Sequence, residues 1–386
     1  MRRSTFFKAA AGAGLAVGAG ALFGGPQGRS AMAGLVGGGE KARAPVSAKV
    51  ADLTGPGLTD RFRMASTDLG IPVTTPDGRL LFVFGDSYEH ARGPDPQDFW
   101  RSPTALYADA SDVAGGVRWT GAVGGDTAEQ LWPYEHVGAF TVLPSDAVVI
   151  GDTIYLHAMA NEELGKVTRT ELWKSTDNGQ TWGTEPVALF DAGFRGTEAD
   201  PNPFQLLTWA LGDDGWVHIY STEFGRRMRK MYHFRVHRDH IENPEAYESW
   251  GAAEGGWAWG NPPTPVMDAD QRIEMGEMCL RPLGGKWVLT FFNNHPDNSG
   301  IEGIVVDRPD ADLTTAPRTM LIRNTAWGDE DDSKVAQVYG GYIIPGSTLE
   351  TLHLTVSQWN TGTDTPELDP GWPYRVMQFR IDGFAA

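Results

Sequence analysis

Residues 175–182 read Ser-Thr-Asp-Asn-Gly-Gln-Thr-Trp, and this turn decides the fold. It matches the Asp-box pattern Ser-x-Asp-x-Gly-x-Thr-Trp, whose physics is local. Asp177 caps the turn, Gly179 takes the positive φ that residues with a Cβ avoid, and Trp182 packs beneath the hairpin. The pattern marks an outer hairpin and says little about chemistry. Outward from it, a turn followed by a strong apolar strand recurs: PDGRLLFVFGD (76–86), VIGDTIYLHAMAN (149–161), GDDGWVHIYSTE (212–223), LGGKWVLTFFNN (283–294) and GSTLETLHLTVSQWN (346–360). With Phe84, Met159, Ser221, Phe291 and Ser357 taken as equivalent, the steps are 75, 62, 70 and 66 residues. Almost no stretch has a helical period, and many apolar runs alternate in the two-residue period of a half-buried strand. Five units of this length suit five four-stranded blades with elaborated loops. The fold expected is therefore all-β, a five-bladed β-propeller, with a pair of β-sandwiches as the poorer alternative.

The first unit carries the candidate chemistry. In Ser66–Glu89, STDLGIPVTTPDGRLLFVFGDSYE, Asp68 opens a short apolar segment and Pro76-Asp77-Gly78 forms a turn. The run Leu80–Phe84 then stops at Gly85-Asp86. Two strands paired through this turn carry both carboxylates to one end of a sheet. A pair of carboxylates is the minimal equipment for acid/base cleavage of a glycosidic bond. Asp at a strand end also closes ordinary turns, so the pairing rather than either residue carries the argument.

The chain divides into residues 1–33, an export signal; 34–50, a flexible Gly/Ala-rich leader; and 51–386, one catalytic propeller domain. Arg2-Arg3, the weakly apolar run Ala9–Phe23 and Ala31-Met32-Ala33 have the layout of a twin-arginine-type signal with a cleavage site. No cysteine follows the run, which excludes a lipoprotein anchor, and no later stretch is long and apolar enough for a spanning helix. A secreted, extracellular destination follows. Removing the signal takes away Arg2, Arg3, Lys8 and Arg29 and no acid, which moves the net charge from −18 to −22. So acidic a chain repels phosphate backbones and anionic lipid, leaving no nucleic-acid or membrane partner, and it is expected to act as a monomer. The single cysteine, Cys279, lies between Met278 and Leu280 and reads as a buried hydrophobe.

In a propeller the strand ends of all blades converge on one opening. Aligning the repeats puts Asp86, Asn161 or Glu162, Glu223, Asn293 or Asn294, and Asn360 at equivalent ends. The preceding strands contribute Asp68, His136, Asn202, Glu277 and Tyr339. Acids and amides bind hydroxyls, while Trp359 or Trp257/Trp259 can stack on sugar faces. Other clusters weaken on inspection. His233, His237 and His240 sit too far apart along a strand to share a metal, about 13 Å for each step of four residues. Asp329–Asp332 reads as a solvated loop, and Arg226, Arg227, Arg229 and Lys230 as a charge-balancing loop or substrate rim. No metal site and no redox or nucleotide cofactor is expected, and a calcium on the propeller axis has no support in the sequence. No nucleophile elbow, nucleotide loop or zincin motif is present.

The segments DLTGPGLTDRFRMASTDLGIPV, FVFGDSYE, YGGYIIPGSTL, and VSQWN followed by YRVMQFR resemble the domain-of-unknown-function family 4185. Members of that family have been assigned as endo-D-arabinanases, glycoside hydrolase family 183. The resemblance runs from about Asp52 to Ile381. It implies a five-bladed propeller, endo-acting attack on the D-arabinan of arabinogalactan and lipoarabinomannan, and catalytic carboxylates at Asp68 and Asp86. The resulting expectation is a secreted glycoside hydrolase with a polysaccharide substrate. Asp86, flanked by Phe82, Phe84 and Tyr88, is the expected acid, Asp68 the base or nucleophile, and Glu223 the reserve. Carboxylate separation decides between retention and inversion, and the reading leans to inversion. Two alternatives stand beside it: a non-catalytic carbohydrate-binding propeller, and a sialidase-like glycosidase, for which only Arg63 offers a carboxylate-binding arginine.

Overall fold

Apolar alternation punctuated by Gly, Pro, Asn and Asp produces strands throughout. The computed structural model describes residues 44–91, 98–225, 230–268, 271–361 and 372–384, and among these no helix exceeds one 3-10 turn. The expected signal (1–33), most of the leader, and Arg226, Arg227 and Arg229 lie outside the described residues. After β1 (Val46–Asp52), the chain lays down five sheets. The first is β2 (Leu69–Thr74), β3 (Leu80–Phe84), β4 (Thr104–Ala108) and β5 (Trp119–Ala122). The second is β6 (Thr141–Ile150), β7 (Thr153–Glu163), β8 (Lys166–Ser175) and β9 (Ala188–Asp191). The third is β10 (Leu206–Leu211), β11 (Trp216–Thr222), β12 (Tyr232–His237), β13 (Glu248–Ala253) and β14 (Gly256–Trp259). The fourth is β15 (Met275–Leu283), β16 (Lys286–Asn293), β17 (Gly300–Val306), β18 (Arg318–Thr325) and β19 (Lys334–Ala336). The fifth, β20 (Val338–Ile343), β21 (Thr351–Trp359) and β22 (Tyr374–Asp382), is completed by β1.

The first strands β2, β6, β10, β15 and β20 touch in that order, and β20 meets β2 again, so the sheets form a five-bladed propeller. The apolar core lies between blades. One cluster joins Ile71 and Val83 to Ile301, Val356 and Phe379, and another joins Met159 to Met275 and Phe291. Short side chains also bridge every seam by hydrogen bonding to a neighbouring blade. Ser102 Oγ donates to Val142 O (2.8 Å), Thr208 Oγ1 to Asp146 Oδ2 (2.6 Å), and Leu280 N to Thr208 Oγ1 (2.7 Å). Thr290 Oγ1 donates to Gly341 O (2.5 Å), and Thr355 Oγ1 to Gly70 O (2.8 Å). Each such buried donor must be satisfied, which fixes blade-to-blade register as well as contact.

Two local features bear on the sequence reading. In the 175–182 turn, Asp177 Oδ1 accepts from Thr181 N (2.9 Å), Ser175 Oγ accepts from Gly179 N (2.9 Å), and Gly179 has φ +88°. Trp182 is buried, and a Cβ at Gly179 would lie 2.5 Å from Leu81 Cδ2, because this turn of the second blade packs onto the first. The leader expectation over 34–50 is corrected at its end. Val46–Asp52 is a strand paired antiparallel with β22, from Val46↔Asp382 to Asp52↔Met377. VSAKVAD has little pattern of its own; the unpaired edge of β22 gives it partners, and the two ends of the chain close the ring in one blade.

Candidate active site

The first hairpin delivers both aspartates to the same end of the first blade. Leu69 pairs with Phe84, so Asp68, just before β2, and Asp86, just after β3, emerge together. The approach is close enough to require glycine: a Cβ on Gly85 would stand 2.3 Å from Asp68 Oδ1. β2 starts with Leu69 and Gly70 at φ 65° and 70°. For leucine this left-handed backbone costs on the order of 1–3 kcal/mol. Ser357 Oγ of the fifth blade accepts Leu69 N (2.9 Å) and helps hold it.

The surroundings of the two carboxylates differ. Asp86 Oδ1 accepts from Trp100 Nε1 (2.8 Å) and Thr141 Oγ1 (2.9 Å), two neutral donors that favour its charged form. Burial still raises it, to about 6. Asp68 Oδ2 accepts from Tyr339 Oη (3.1 Å), and Tyr374 also donates to Asp68. Its Oδ1 is buried without a hydrogen-bond partner. Burial and then the charge of Asp86 push Asp68 up to about 8, with Glu277 adding to the rise. Two carboxylates in one low-dielectric site do not ionise together readily, and the one with more and shorter hydrogen bonds from neutral donors loses its proton first. Here that is Asp86.

Burial raises Asp86 as expected, but Asp68 is raised further. Phe82 and Phe84 flank Asp86 in sequence, but they pack in another core cluster, edge-on to Trp119 with centroids at 5.1 and 5.7 Å. Apolar neighbours along a strand are not the neighbours of a carboxylate beyond its end.

Of the other expected residues, Tyr339 and Glu277 join the pair, and Glu277 Oε2 lies 3.4 Å from Gly340 N. Trp359 stands edge-on to Tyr374 at 6.1 Å. Asn202 Nδ2 donates to Glu223 Oε1 (2.9 Å), so these two meet each other on the third blade. Three expected substrate binders are corrected. Asn293 is buried, accepting from Glu274 N and His295 N (3.0 Å each) and donating to Arg272 O (3.1 Å); it locks the end of β16. Asn360 is buried too and donates to Trp372 O (2.9 Å). His136 stacks on Trp100 with ring centroids 4.0 Å apart, and burial pushes it down to about 4. Trp257 and Trp259 lie on β14, the outermost strand of the third blade, rather than at a strand end on the opening.

Arg63, the arginine considered for a sialidase-like site, is neutralised by Glu89 at 2.8 Å. His233 is buried, and no group of three or more His, Cys, Asp or Glu among the described residues is arranged to hold a metal ion. Cys279 is buried and accepts Ile343 N at 3.2 Å. Sequence reasoning missed Trp100, Thr141 and Tyr374. Trp100 has no strand-end alignment to mark it, since it returns to Asp86 through the antiparallel bridge of Ser87 with Arg101.

Comparison with known proteins places the chain in a family. The profile of DUF4185, described as a domain of unknown function, matches residues 54–380, and the chain belongs to that family. An uncharacterized 35.9 kDa protein from the asd 3′ region of Mycolicibacterium smegmatis is 29% identical over 335 residues, covering 84% of this chain and 94% of that protein. Notoamide biosynthesis cluster protein J′ of Aspergillus versicolor is 28% identical over 327 residues, covering 80% of this chain and 85% of that protein. Among solved structures, a Bacteroides ovatus protein provisionally described as a hydrolase superposes with TM-score 0.57 at 12% identity, covering 84% of this chain and 87% of its own. That last likeness is one of fold.

Proposed function

We propose that this member of the DUF4185 family is an exported glycoside hydrolase that cuts within D-arabinofuranosyl chains. The carrying observation is the Asp68/Asp86 pair, held on one hairpin with proton affinities driven apart by different surroundings. Near neutral pH Asp68 keeps its proton and Asp86 is largely charged. Asp68 then gives its proton to the leaving glycosidic oxygen as the C–O bond breaks. Asp86 takes a proton from attacking water, or bonds the anomeric carbon itself. Tyr339 and Tyr374, which donate to Asp68, orient the acid, and Trp359 beside Tyr374 offers an aromatic face to a sugar ring. The motifs resembling glycoside hydrolase family 183 support D-arabinan as substrate, and the charged, apolar and small-residue blocks of residues 1–33 support export.

Digestion of mycobacterial arabinogalactan by the mature protein, followed by chromatography, tests this reading. Oligosaccharides are expected from wild type, with rates about 10²–10⁴-fold lower for Asp68→Asn and Asp86→Asn. Products from all three proteins would sink the site assignment. No products, with the polysaccharide retained, would favour the carbohydrate-binding propeller, which needs no paired acids.

A further inference from the structure

Trp100 is fixed from three sides. Reciprocal backbone bonds, Ser87 N to Arg101 O (2.8 Å) and Arg101 N to Ser87 O (3.0 Å), set its loop beside Asp86. One ring face stacks on His136 at 4.0 Å and 26°, and Tyr88 lies near-parallel at 6.2 Å and 20°. With one face stacked on His136, the indole turns its polar edge to Asp86 and donates to Oδ1 at 2.8 Å. His136 is itself placed by Phe140 O, 3.1 Å from Nδ1, and Gln130 Oε1, 3.0 Å from Nε2, and the neutral ring donates to one of the two. Gln130 in turn donates to Trp132 O (2.9 Å) and Tyr134 O (3.1 Å). A chain of contacts thus runs from the loop before β6 to the carboxylate.

We infer that Trp100 is a positioning residue, its indole N–H holding the Asp86 carboxylate in place and in its charged form, with His136 as the buttress of the indole. The kinetic consequence rests on the glycosidase reading; the titration of Asp86 does not. The titratable groups facing Asp86 are Asp68, Tyr88, Tyr134 and Tyr374. Burial pushes the tyrosines upward and holds His136 neutral, so Asp68 is the neighbour that titrates near neutrality. An indole N–H favours the carboxylate over the carboxylic acid, and removing it must raise the proton affinity of Asp86.

The test is carboxyl ¹³C NMR titration of the substrate-free mature protein with labelled aspartate. In Trp100→Phe, which keeps the stacked ring and deletes the N–H, the Asp86 midpoint is expected to rise by about one pH unit. In His136→Phe, which keeps the stack and the indole, a smaller change is expected. In wild type the Trp100 indole proton should shift with the same midpoint as Asp86, a reading that needs no variant to fold. On arabinan, the acidic limb of kcat/KM should move up in Trp100→Phe with little change in KM. An unmoved Asp86 midpoint, or an indole proton indifferent to it, would overturn the inference. Absence of hydrolysis in wild type would instead overturn the glycosidase reading and leave the titration to judge Trp100.

Discussion

Asp68 and Asp146 each lie close to a register shift in the first strand of adjacent blades, Asp68 just before β2 and Asp146 within β6. Asp146 is fully satisfied. It accepts from Thr208 Oγ1 (2.6 Å) and Trp209 N (3.2 Å), and Arg281 of the fourth blade grips both its oxygens at 2.7 and 2.9 Å. Among the described residues Asp68 has no cation of this kind. It faces Asp86 and Glu277, and one of its oxygens is buried without a partner. The contrast separates two uses of one side chain. A buried carboxylate given an arginine and a full set of donors ties blades together. One placed among other carboxylates keeps a proton that it can give away.

The largest stability effect should come from the tied aspartate. Asp146→Ala leaves Arg281 buried without its counter-ion and should cost about 3–5 kcal/mol in urea unfolding, while folded molecules retain their specific activity. A neutral result would break the comparison. Asn293→Ala should cost about 1–3 kcal/mol, because it strands the N–H groups of Glu274 and His295. The KM of that variant should match wild type, and a raised KM would return Asn293 to the substrate site. The pH-dependent effect is the most diagnostic. Because the folded-state pKa of Asp68 is raised, its contribution to stability is present at low pH and is lost as pH climbs through about 8. Asp68→Asn should therefore melt near wild type at pH 4 and increasingly above it towards pH 9. A difference independent of pH would show that Asp68 is not held protonated by the fold.

Much of this was legible because its physics is short in range. The turn at 175–182 needs only an acid, a glycine and a tryptophan at set spacing, and the 76–86 hairpin needs only a turn between two apolar runs. Equating strand ends across repeats was less successful. It named Tyr339 and Glu277, which the structure has beside Asp68, but treated Asn293, Asn360 and His136 as free to bind sugar. Position along a strand says which residues reach one end of the propeller; it does not say whether a backbone N–H or a neighbouring ring has already claimed them.

The sequence by itself determined an all-β chain of five repeated units and the pairing of Asp68 with Asp86, since strand alternation and turn chemistry are written in residues adjacent along the chain. Only the tertiary structure decided three further matters. It recruited Val46–Asp52 to close the fifth blade, because a free sheet edge supplies the hydrogen bonds that a weak pattern cannot announce. It brought Trp100 and Thr141 to Asp86, and Tyr339 and Tyr374 to Asp68, from distant segments. In doing so it raised Asp68 further than Asp86: proton affinity depends on the donors and charges a fold gathers in space, and those are not a carboxylate's neighbours in sequence.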